Sequence, residues 1–163
     1  MDLSDLAVKL NGAEYDPETF PGLIFRIKSP KTAILLFRSG KLVCTGAKTL
    51  EQVDNAITTV IDSIRKAGVH IKERPSFEVQ NIVASAELGQ PINLTSVVIT
   101  LGLERVEYEP EVFPGLVYRL TEPKVVILLF GSGRLVCTGA KKREDVEAAV
   151  KKIRGELQSA DLL

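Results

Sequence analysis

The side chains that most often perform catalysis or bind metals are scarce and poorly grouped in this chain. His70 is the single histidine and lies in a polar connector, while the two cysteines, Cys44 and Cys137, each follow a valine in a segment typical of a β-strand. Two cysteines without a histidine cluster do not form a zinc motif, and the chain has no Ser/His/Asp set and no glycine-rich phosphate loop after a strand. We therefore expect no catalysis, no cofactor and no metal. We interpret the cysteines as small buried thiols, because a disulfide would require their two strands to meet.

The remaining chemistry is carried by a segment that occurs twice. Residues 14–48 align without a gap with residues 107–141, and 24 of the 35 positions are identical. Each copy combines phenylalanines beside Pro-Gly or Ser-Gly with arginines, lysines and apolar strand residues. An internal repeat determines the architecture, and two copies predict two similar half-domains related by a pseudo-two-fold axis.

Composition favours a globular protein without a membrane span. Hydrophobic residues make up 45% of the chain and charged residues 26%, and no apolar run reaches the ~18 residues that a transmembrane helix needs. The acidic N-terminus does not resemble a signal peptide, so we expect an intracellular location. A formal net charge of zero argues against a purely electrostatic polyanion binder, but it allows one basic face.

Residue spacing predicts the elements of the first half. Leucines at helical spacing predict a helix over residues 2–10, and Thr49 is the expected N-cap of a long helix that Gly68 ends, with Gln52 completing a capping box. Between these helices we expect an antiparallel meander of short extended segments at residues 13–16, 23–28, 32–38 and 41–45.

The second half repeats this order after one additional element. We place the boundary between residues 1–72 and 73–163, in the polar connector. The alternating segment Phe77–Leu88 predicts a leading strand, residues 93–101 and 144–157 predict helices, and residues 158–163 are expected to fray. The first-half counterpart of the leading strand would lie before Met1 and is absent.

The central strands of both halves are apolar at consecutive positions, as in Ile34–Phe37 and Ile127–Phe130. Such strands have two apolar faces, and two helices per half cover only one of them. The other face must therefore bind a partner or remain an exposed apolar patch.

Four motifs, in this order and duplicated or placed between the copies, identify a family. They are FPGL-x-[FY]-R, [IL]LF-x-SG-[KR], VCTGAK and QNIVAS, and together they resemble the TATA-box-binding protein family. The resemblance covers the whole chain except the first leading strand, and the proline after both loop phenylalanines is similar to the archaeal branch. It implies an α+β saddle, in which the concave face of a curved antiparallel sheet binds the DNA minor groove and the helices cover the convex face.

The same resemblance implies the residues that contact DNA. Two phenylalanine pairs, Phe20 with Phe37 and Phe113 with Phe130, would wedge between base steps and bend the duplex; this family is itself the established example of that mode. Considered alone, each phenylalanine is more often a core residue, although a position beside Pro-Gly or Ser-Gly is unusual for one. The implied groove-floor residues are Leu35, Val43, Thr45, Leu128, Val136, Thr138, Asn81 and Val83. The implied phosphate-contacting residues are Arg26, Ser39, Lys41, Lys48, Arg119, Ser132, Arg134 and Lys141.

Acidic residues cluster elsewhere, in the loop before Phe113. The resemblance implies that Glu109, Glu111 and Val112 bind transcription factor B, although solvated loop carboxylates are the simpler interpretation. It also implies RNA polymerase assembly as a further partner and action at the nucleoid of an archaeal cell. Because the first leading strand and its asparagine are missing, we expect this chain to be less stable than an upstream-extended form, or to self-associate.

Two other functions remain as alternatives. Some DNA glycosylases contain a half-saddle domain, but the rest of such an enzyme is absent from the chain. A protein-binding module could use the apolar sheet face without DNA, and salt-dependent binding to an A·T-rich duplex would distinguish it from a DNA-binding protein.

Overall fold

The computed structural model of the protein describes residues 1–163, which divide into two compact units, Met1–Ser76 and Phe77–Leu163. Each unit contains one antiparallel sheet and two helices, so the α+β class predicted from the sequence is confirmed.

The first unit is a four-stranded meander between two helices. Along the chain it contains α1 (Leu3–Lys9), β1 (Ala13–Glu14), β2 (Leu23–Ile27), β3 (Thr32–Leu36), β4 (Leu42–Thr45) and α2 (Leu50–Lys66). Its strands lie in the order β1-β2-β3-β4, which is the antiparallel meander that the sequence predicts.

The second unit repeats this meander and adds one strand. It contains β5 (Ile82–Glu87), α3 (Leu94–Leu101), β6 (Val106–Glu107), β7 (Leu116–Thr121), β8 (Lys124–Leu129), β9 (Arg134–Ala140) and α4 (Arg143–Ser159). The order is β5-β9-β8-β7-β6, so the additional strand pairs with β9, the equivalent of β4. Residues 77–81 precede the strand without belonging to it, so the predicted strand Phe77–Leu88 was too long.

Local capping explains where the helices begin. The Thr49 hydroxyl accepts a hydrogen bond from the N–H of Gln52 at 3.1 Å, which confirms the predicted N-cap of α2. The capping box differs from the prediction by one residue, because the Gln52 side chain accepts from the N–H of Lys48, at 2.9 Å, rather than from that of Thr49. At α4 the N-cap is Lys142, whose side chain makes no capping hydrogen bond.

Each core lies between the helices and one face of the sheet, because strand side chains alternate between faces. In the first unit Ile34 and Leu36 of β3 are buried with Ile57 and Ile64 of α2, and the second unit packs Ile127 and Leu129 in the same way against α4. Cys137 is buried in the second core, as predicted, whereas Cys44 is only partly buried and packs against the first core; both thiols are free. We call the opposite side of each sheet, away from the helices, its outer face.

Only the second unit has a polar cluster at the edge of its core. The hydroxyl of Tyr118, a buried residue of β7, donates to Glu156 of α4 at 2.8 Å, and Arg105 donates to both Glu156, at 2.7 Å, and Tyr118. Burial, followed by the neighbouring Glu156 carboxylate, raises the pKa of Tyr118 from 10.0 to about 12. At the equivalent position the first unit has Phe25, which is apolar and makes no such link.

The C-terminus is more ordered than the sequence predicts. Helix α4 continues to Ser159, and Leu162 and Leu163 pack against the second core, with the Leu162 N–H donating to the Leu157 carbonyl at 2.9 Å. The prediction of a frayed segment over residues 158–163 was therefore wrong, because two terminal leucines bury apolar surface.

No helix of the protein is both long enough and apolar enough to cross a membrane.

Candidate nucleic-acid interface

The outer face of the first unit carries two parallel rows of side chains. Strand register places Ile24, Leu35 and Val43 side by side across three strands, and Arg26, Ala33 and Thr45 form the next row. The apolar members remain partly or fully exposed, although strands normally bury such residues.

The second unit repeats both rows at the same spacing. Val117, Leu128 and Val136 form the first row, which Ser85 of β5 extends to a fourth strand. Arg119, Val126 and Thr138 form the second row. The structure thus brings the predicted groove-floor residues of β3 and β4, and those of β8 and β9, onto one face of their sheets.

Each unit pairs its two predicted wedge phenylalanines. The ring centroids of Phe20 and Phe37 lie 5.9 Å apart at an interplanar angle of 64°, and those of Phe113 and Phe130 lie 5.9 Å apart at 66°. This edge-to-face geometry is favourable for aromatic rings. The rings are only partly buried or, for Phe113, exposed, so the pairs lie at the surface rather than in the core.

Glycine makes room for each pair. A Cβ atom on Gly22 would lie 2.8 Å from Cε1 of Phe20 and 3.1 Å from Cε1 of Phe37. A Cβ atom on Gly115 would meet Phe113 and Phe130 at 2.8 and 3.0 Å. The glycine of both FPG motifs is therefore explained by the space that two converging rings require.

The turns after β3 and β8 fix the second phenylalanine of each pair. The Phe37 N–H donates to the Lys41 carbonyl at 2.9 Å, and the Ser39 hydroxyl accepts from the Lys41 N–H at 3.3 Å. Phe130, Ser132 and Arg134 make the same two hydrogen bonds at the same distances. The side chains of Lys41 and Arg134 are exposed beside these turns, where a phosphate could reach them.

The arginines of the outer face already have acidic neighbours. Arg26 lies 2.8 Å from Glu14, and Arg119 lies 3.7 Å from Glu107, with all four side chains more than half exposed. Exposed ion pairs contribute only about 0–1 kcal/mol, so exchanging a carboxylate for a phosphate costs little. Lys48 and Lys141 are exposed too, but they follow β4 and β9 and lie outside the two rows.

Asn81 is held by the end of β9 rather than pointing freely outward. Its Oδ1 accepts from the N–H of Gly139 at 2.6 Å, and its Nδ2 donates to the Thr138 hydroxyl at 3.4 Å. The side chain is thereby oriented, while the long Nδ2 contact leaves that amide able to donate elsewhere. Val83, two residues further on, is 65% exposed on the outer face.

The loops that precede the first phenylalanine of each pair differ. In the first unit Asp16 accepts hydrogen bonds from the Thr19 hydroxyl at 2.8 Å and the Glu18 N–H at 3.2 Å, which lower the pKa of its carboxyl group. The main-chain carbonyl at this position accepts two hydrogen bonds in both loops, in the second unit that of Glu109 from Val112 and Phe113, both at 2.9 Å, but the Glu109 side chain accepts none.

The side chains of the second loop are therefore freer to contact another molecule than those of the first loop. No hydrogen bond or ion pair involves the side chains of Glu109 and Glu111, and Val112 is 79% exposed. Residues predicted to bind a protein partner thus form an acidic loop with an apolar residue at its surface.

Sequence reasoning missed several members of the outer face. They are Ile24, Ala33, Ser85, Val117 and Val126. The signal was available, because Ile24 and Val117 alternate with Arg26 and Arg119, and Ser85 alternates with Val83. No cluster of three or more His, Cys, Asp or Glu side chains is placed to hold a metal, and burial raises the pKa of both thiols, which disfavours reactive thiolates.

Comparisons with known proteins match the chain to one protein family. The family model for transcription factor TFIID (or TATA-binding protein, TBP) matches residues 1–67 and 76–160. TATA-box-binding proteins of Picrophilus torridus and Thermoplasma volcanium are each 55% identical over 163 residues, which is 100% of this chain and 89% of theirs. TATA-box-binding protein E of Halobacterium salinarum is 53% identical over the same 163 residues and 88% of its own length.

A solved structure gives the same result for the fold. The TBP of Methanococcus jannaschii superposes with a TM-score of 0.87 at 49% sequence identity, covering 97% of this chain and 89% of that one. Sequence and structure together establish that the chain belongs to the TATA-binding protein family of transcription factors.

Proposed function

We propose that this protein is a general transcription factor that binds the minor groove of TATA-box DNA, bends it by inserting its phenylalanine pairs, and recruits transcription factor B and RNA polymerase. Its family consists of transcription factors and not of enzymes, as the scarcity of catalytic side chains predicts. The proposal concerns how the surfaces described above would perform that role.

One observation carries the proposal. Each unit has an exposed apolar outer face with an arginine in its second row and a phenylalanine pair beside it, and these features occupy equivalent positions in the two units. An exposed apolar surface bordered by cations suits the minor groove, whose floor offers sugar and base-edge surface between two phosphate chains.

The phenylalanine pairs supply the bending. An apolar ring can enter a base step only if that step unstacks, which costs a few kcal/mol, and the bent duplex then contacts more protein surface. Kinking is least costly at pyrimidine–purine steps such as TA, which favours A·T-rich sites of the TATA type.

Asn81 supplies polar readout of the groove. Minor-groove edges of A·T pairs present only the acceptors N3 and O2, whereas a G·C pair adds a donor. Because the Asn81 Oδ1 is occupied by Gly139, the side chain is held with its Nδ2 donor available for such acceptors. A fixed donor on the groove floor favours A·T over G·C without strongly fixing orientation.

The loop of Glu109, Glu111 and Val112 is the surface that we assign to transcription factor B. Two unpaired carboxylates are poor neighbours for phosphate but complement a basic protein surface, and an exposed valine adds apolar contact area. The polymerase would then be recruited through that complex.

Binding to labelled duplexes tests the proposal directly. We expect the chain to prefer a TATA duplex over a G·C-rich duplex in fluorescence anisotropy, with log affinity falling by about 0.9 for each contacted phosphate per tenfold rise in salt. Fluorescence transfer between the duplex ends should report bending. Equal affinity for both duplexes, or affinity independent of salt, would instead favour the alternative of a protein-binding module on the outer face.

A charge introduced on each side of the sheets sharpens this test. Val43→Glu with Val136→Glu places one carboxylate on the outer face of each unit, and we expect roughly hundredfold weaker TATA binding through repulsion of phosphate and lost apolar contact. Val8→Glu with Ile99→Glu is the matched control, because these exposed valine and isoleucine side chains belong to α1 and α3. Equal loss in both double variants would contradict the outer-face assignment.

A further inference from the structure

A cavity in the second unit opens between α3 and α4, the two helices that cover its core. Its volume is about 540 Å³, and its lining includes Thr100 and Leu101 of α3 and Lys151, Lys152 and Gly155 of α4. The helices cover the face of the sheet opposite the outer face, so the cavity lies away from the surface that we assign to DNA. We call it the α3–α4 cavity.

The cations of the α3–α4 cavity lack a counter-ion, whereas its one carboxylate does not. Glu156 is paired with Arg105 at 2.7 Å. Lys151 and Lys152 are exposed, and no carboxylate lies within 4.0 Å of either ammonium group. The one hydrogen bond that either lysine donates, from Lys152 to the main-chain carbonyl of Glu122, has the long distance of 3.5 Å. An anionic partner would therefore meet two cations that no internal group neutralises.

Glycine at the wall of the cavity has no internal explanation. Gly155 lies inside α4, which continues to Ser159, and glycine inside a helix lowers its stability relative to alanine. A Cβ on Gly155 would meet nothing within 4 Å, so packing within the chain does not require a glycine there. The missing side chain does allow another molecule to approach the backbone of α4 closely.

These features belong to the second unit and not to the repeat. The two lysines and the glycine are replaced at the equivalent positions of α2, which are Thr58, Thr59 and Asp62. The first unit thus has one negative charge where the second has two positive charges. α3 has no charged residue, whereas its counterpart α1 has Asp5 and Lys9, which pair with each other at 2.7 Å.

We propose that the α3–α4 cavity binds an acidic amphipathic helix of a partner protein. The apolar stripe of that helix would pack on Leu101 and over Gly155, and its carboxylates would pair with Lys151 and Lys152. Binding of a helix in a groove uses apolar anchors at helical spacing, and complementary charges select the partner. A nucleic acid suits the cavity less well, because the carboxylate of Glu156 lies in the same wall.

A designed peptide, ELAALEAELAALEA, is the probe for this site. Its leucines recur at helical spacing and its four glutamates provide the negative charge. We expect saturable binding to the full chain in fluorescence anisotropy at low salt, with amide chemical shifts changing at Thr100, Gly155 and Ser159 but not at Val117 and Leu128 of the outer face. The control peptide KLAALKAKLAALKA keeps the leucines, reverses the charge and should bind at least about tenfold more weakly.

Two sets of protein variants test the two features of the cavity separately. Lys151→Gln with Lys152→Gln should weaken binding of the acidic peptide about tenfold. Thr58→Glu with Thr59→Glu makes the same change in net charge on α2 and should leave binding within about twofold. Gly155→Ala should weaken binding several-fold while raising the thermal midpoint of unfolding, because alanine favours the helix and its Cβ meets no neighbour. A merely structural role for Gly155 would lower both.

Affinity for a TATA duplex should stay within about twofold of the wild-type value in all of these variants, because none of them changes the outer face. The proposal is overturned if the acidic peptide does not bind saturably, if both peptides bind equally, or if the variants of α2 and α4 lose equal affinity. Tighter binding of inorganic polyphosphate than of the acidic peptide at the same two lysines would also overturn it, by identifying a polyanion site.

Discussion

The two units share their outer faces but differ in the loops that lead to the phenylalanine pairs. The first loop is closed on itself, because Asp16 accepts from both Thr19 and Glu18, whereas the second leaves Glu109 and Glu111 unpaired and Val112 exposed. Equivalent residues in both units build the surface that we assign to the symmetric part of the task, contact with DNA. Differences between the units then mark surfaces with a separate task, and the loop of the second unit is the clearest of them.

The phenylalanine pairs give the largest expected effect and test the equivalence of the two units. Phe113→Ala with Phe130→Ala should weaken specific DNA binding by a few kcal/mol and reduce bending, because the ring pair can no longer hold an unstacked step open. Phe20→Ala with Phe37→Ala should cause a similar loss, since the two pairs have the same separation and nearly the same angle. End-to-end fluorescence transfer on a TATA duplex measures the bend, and full bending by either double variant would disprove the wedge assignment for that unit.

The acidic loop should separate partner binding from DNA binding. Glu109→Lys with Glu111→Lys should leave binary DNA affinity nearly unchanged while weakening recruitment of transcription factor B to the protein–DNA complex by about tenfold, or ~1.4 kcal/mol. Gel-shift titration of the ternary complex measures both quantities. Glu18→Lys in the first loop is the control and should not affect recruitment; a parallel loss of DNA binding and recruitment would argue against a separate partner surface.

The Tyr118 cluster should distinguish the stabilities of the two units. Tyr118→Phe gives the second unit the aromatic residue type that the first has as Phe25, and removes two hydrogen bonds, so we expect a loss of about 1 kcal/mol in unfolding free energy. Because folding raises the pKa of Tyr118 from 10.0 to about 12, its stabilising contribution is complete below pH 10 and is lost as the pH rises through about 12. Urea unfolding should therefore show a steeper decline over this pH range for the wild-type chain than for the variant, and identical pH profiles would contradict the assignment.

The Arg–Glu pairs on the outer faces give the smallest expected effect. Glu14→Gln or Glu107→Gln frees an arginine for phosphate and should increase DNA affinity by about two- to threefold at low salt, consistent with the ~0–1 kcal/mol of exposed pairs. The increase should be larger for Glu14→Gln, since the ion pair of Arg26 is shorter, at 2.8 Å, than the 3.7 Å pair of Arg119. Parallel anisotropy titrations of the two variants and the wild-type chain measure the DNA affinity. If neither substitution alters that affinity or its salt dependence, the arginines do not contact phosphate in the way that we propose.

Local patterns in the sequence predicted most of the fold and the faces of the strands. Period-two alternation places Leu35 and Val43 on one face of the sheet and Ile34 and Cys44 on the other. The N-cap at Thr49 depends only on residues within one helical turn. The features that sequence missed depend on register or on distant packing. The Arg26–Glu14 pair requires the β1–β2 register, and Leu162 packs only because a core is already present beside it. The DNA-contacting and partner-binding roles of the individual residues stay predictions.

The edge-to-face phenylalanine pairs have a thermodynamic consequence for complex formation. Each ring already packs against its partner and against a glycine where a Cβ atom would collide with the rings. Insertion of the rings into a base step would therefore cost little side-chain rotamer entropy. With the insertion that we propose, the conformational cost of the complex would fall on the duplex rather than on the protein. A DNA site already weakened by a mismatch at the kinked step should therefore bind faster as well as more tightly, because the slow, unfavourable part of association would belong to the DNA.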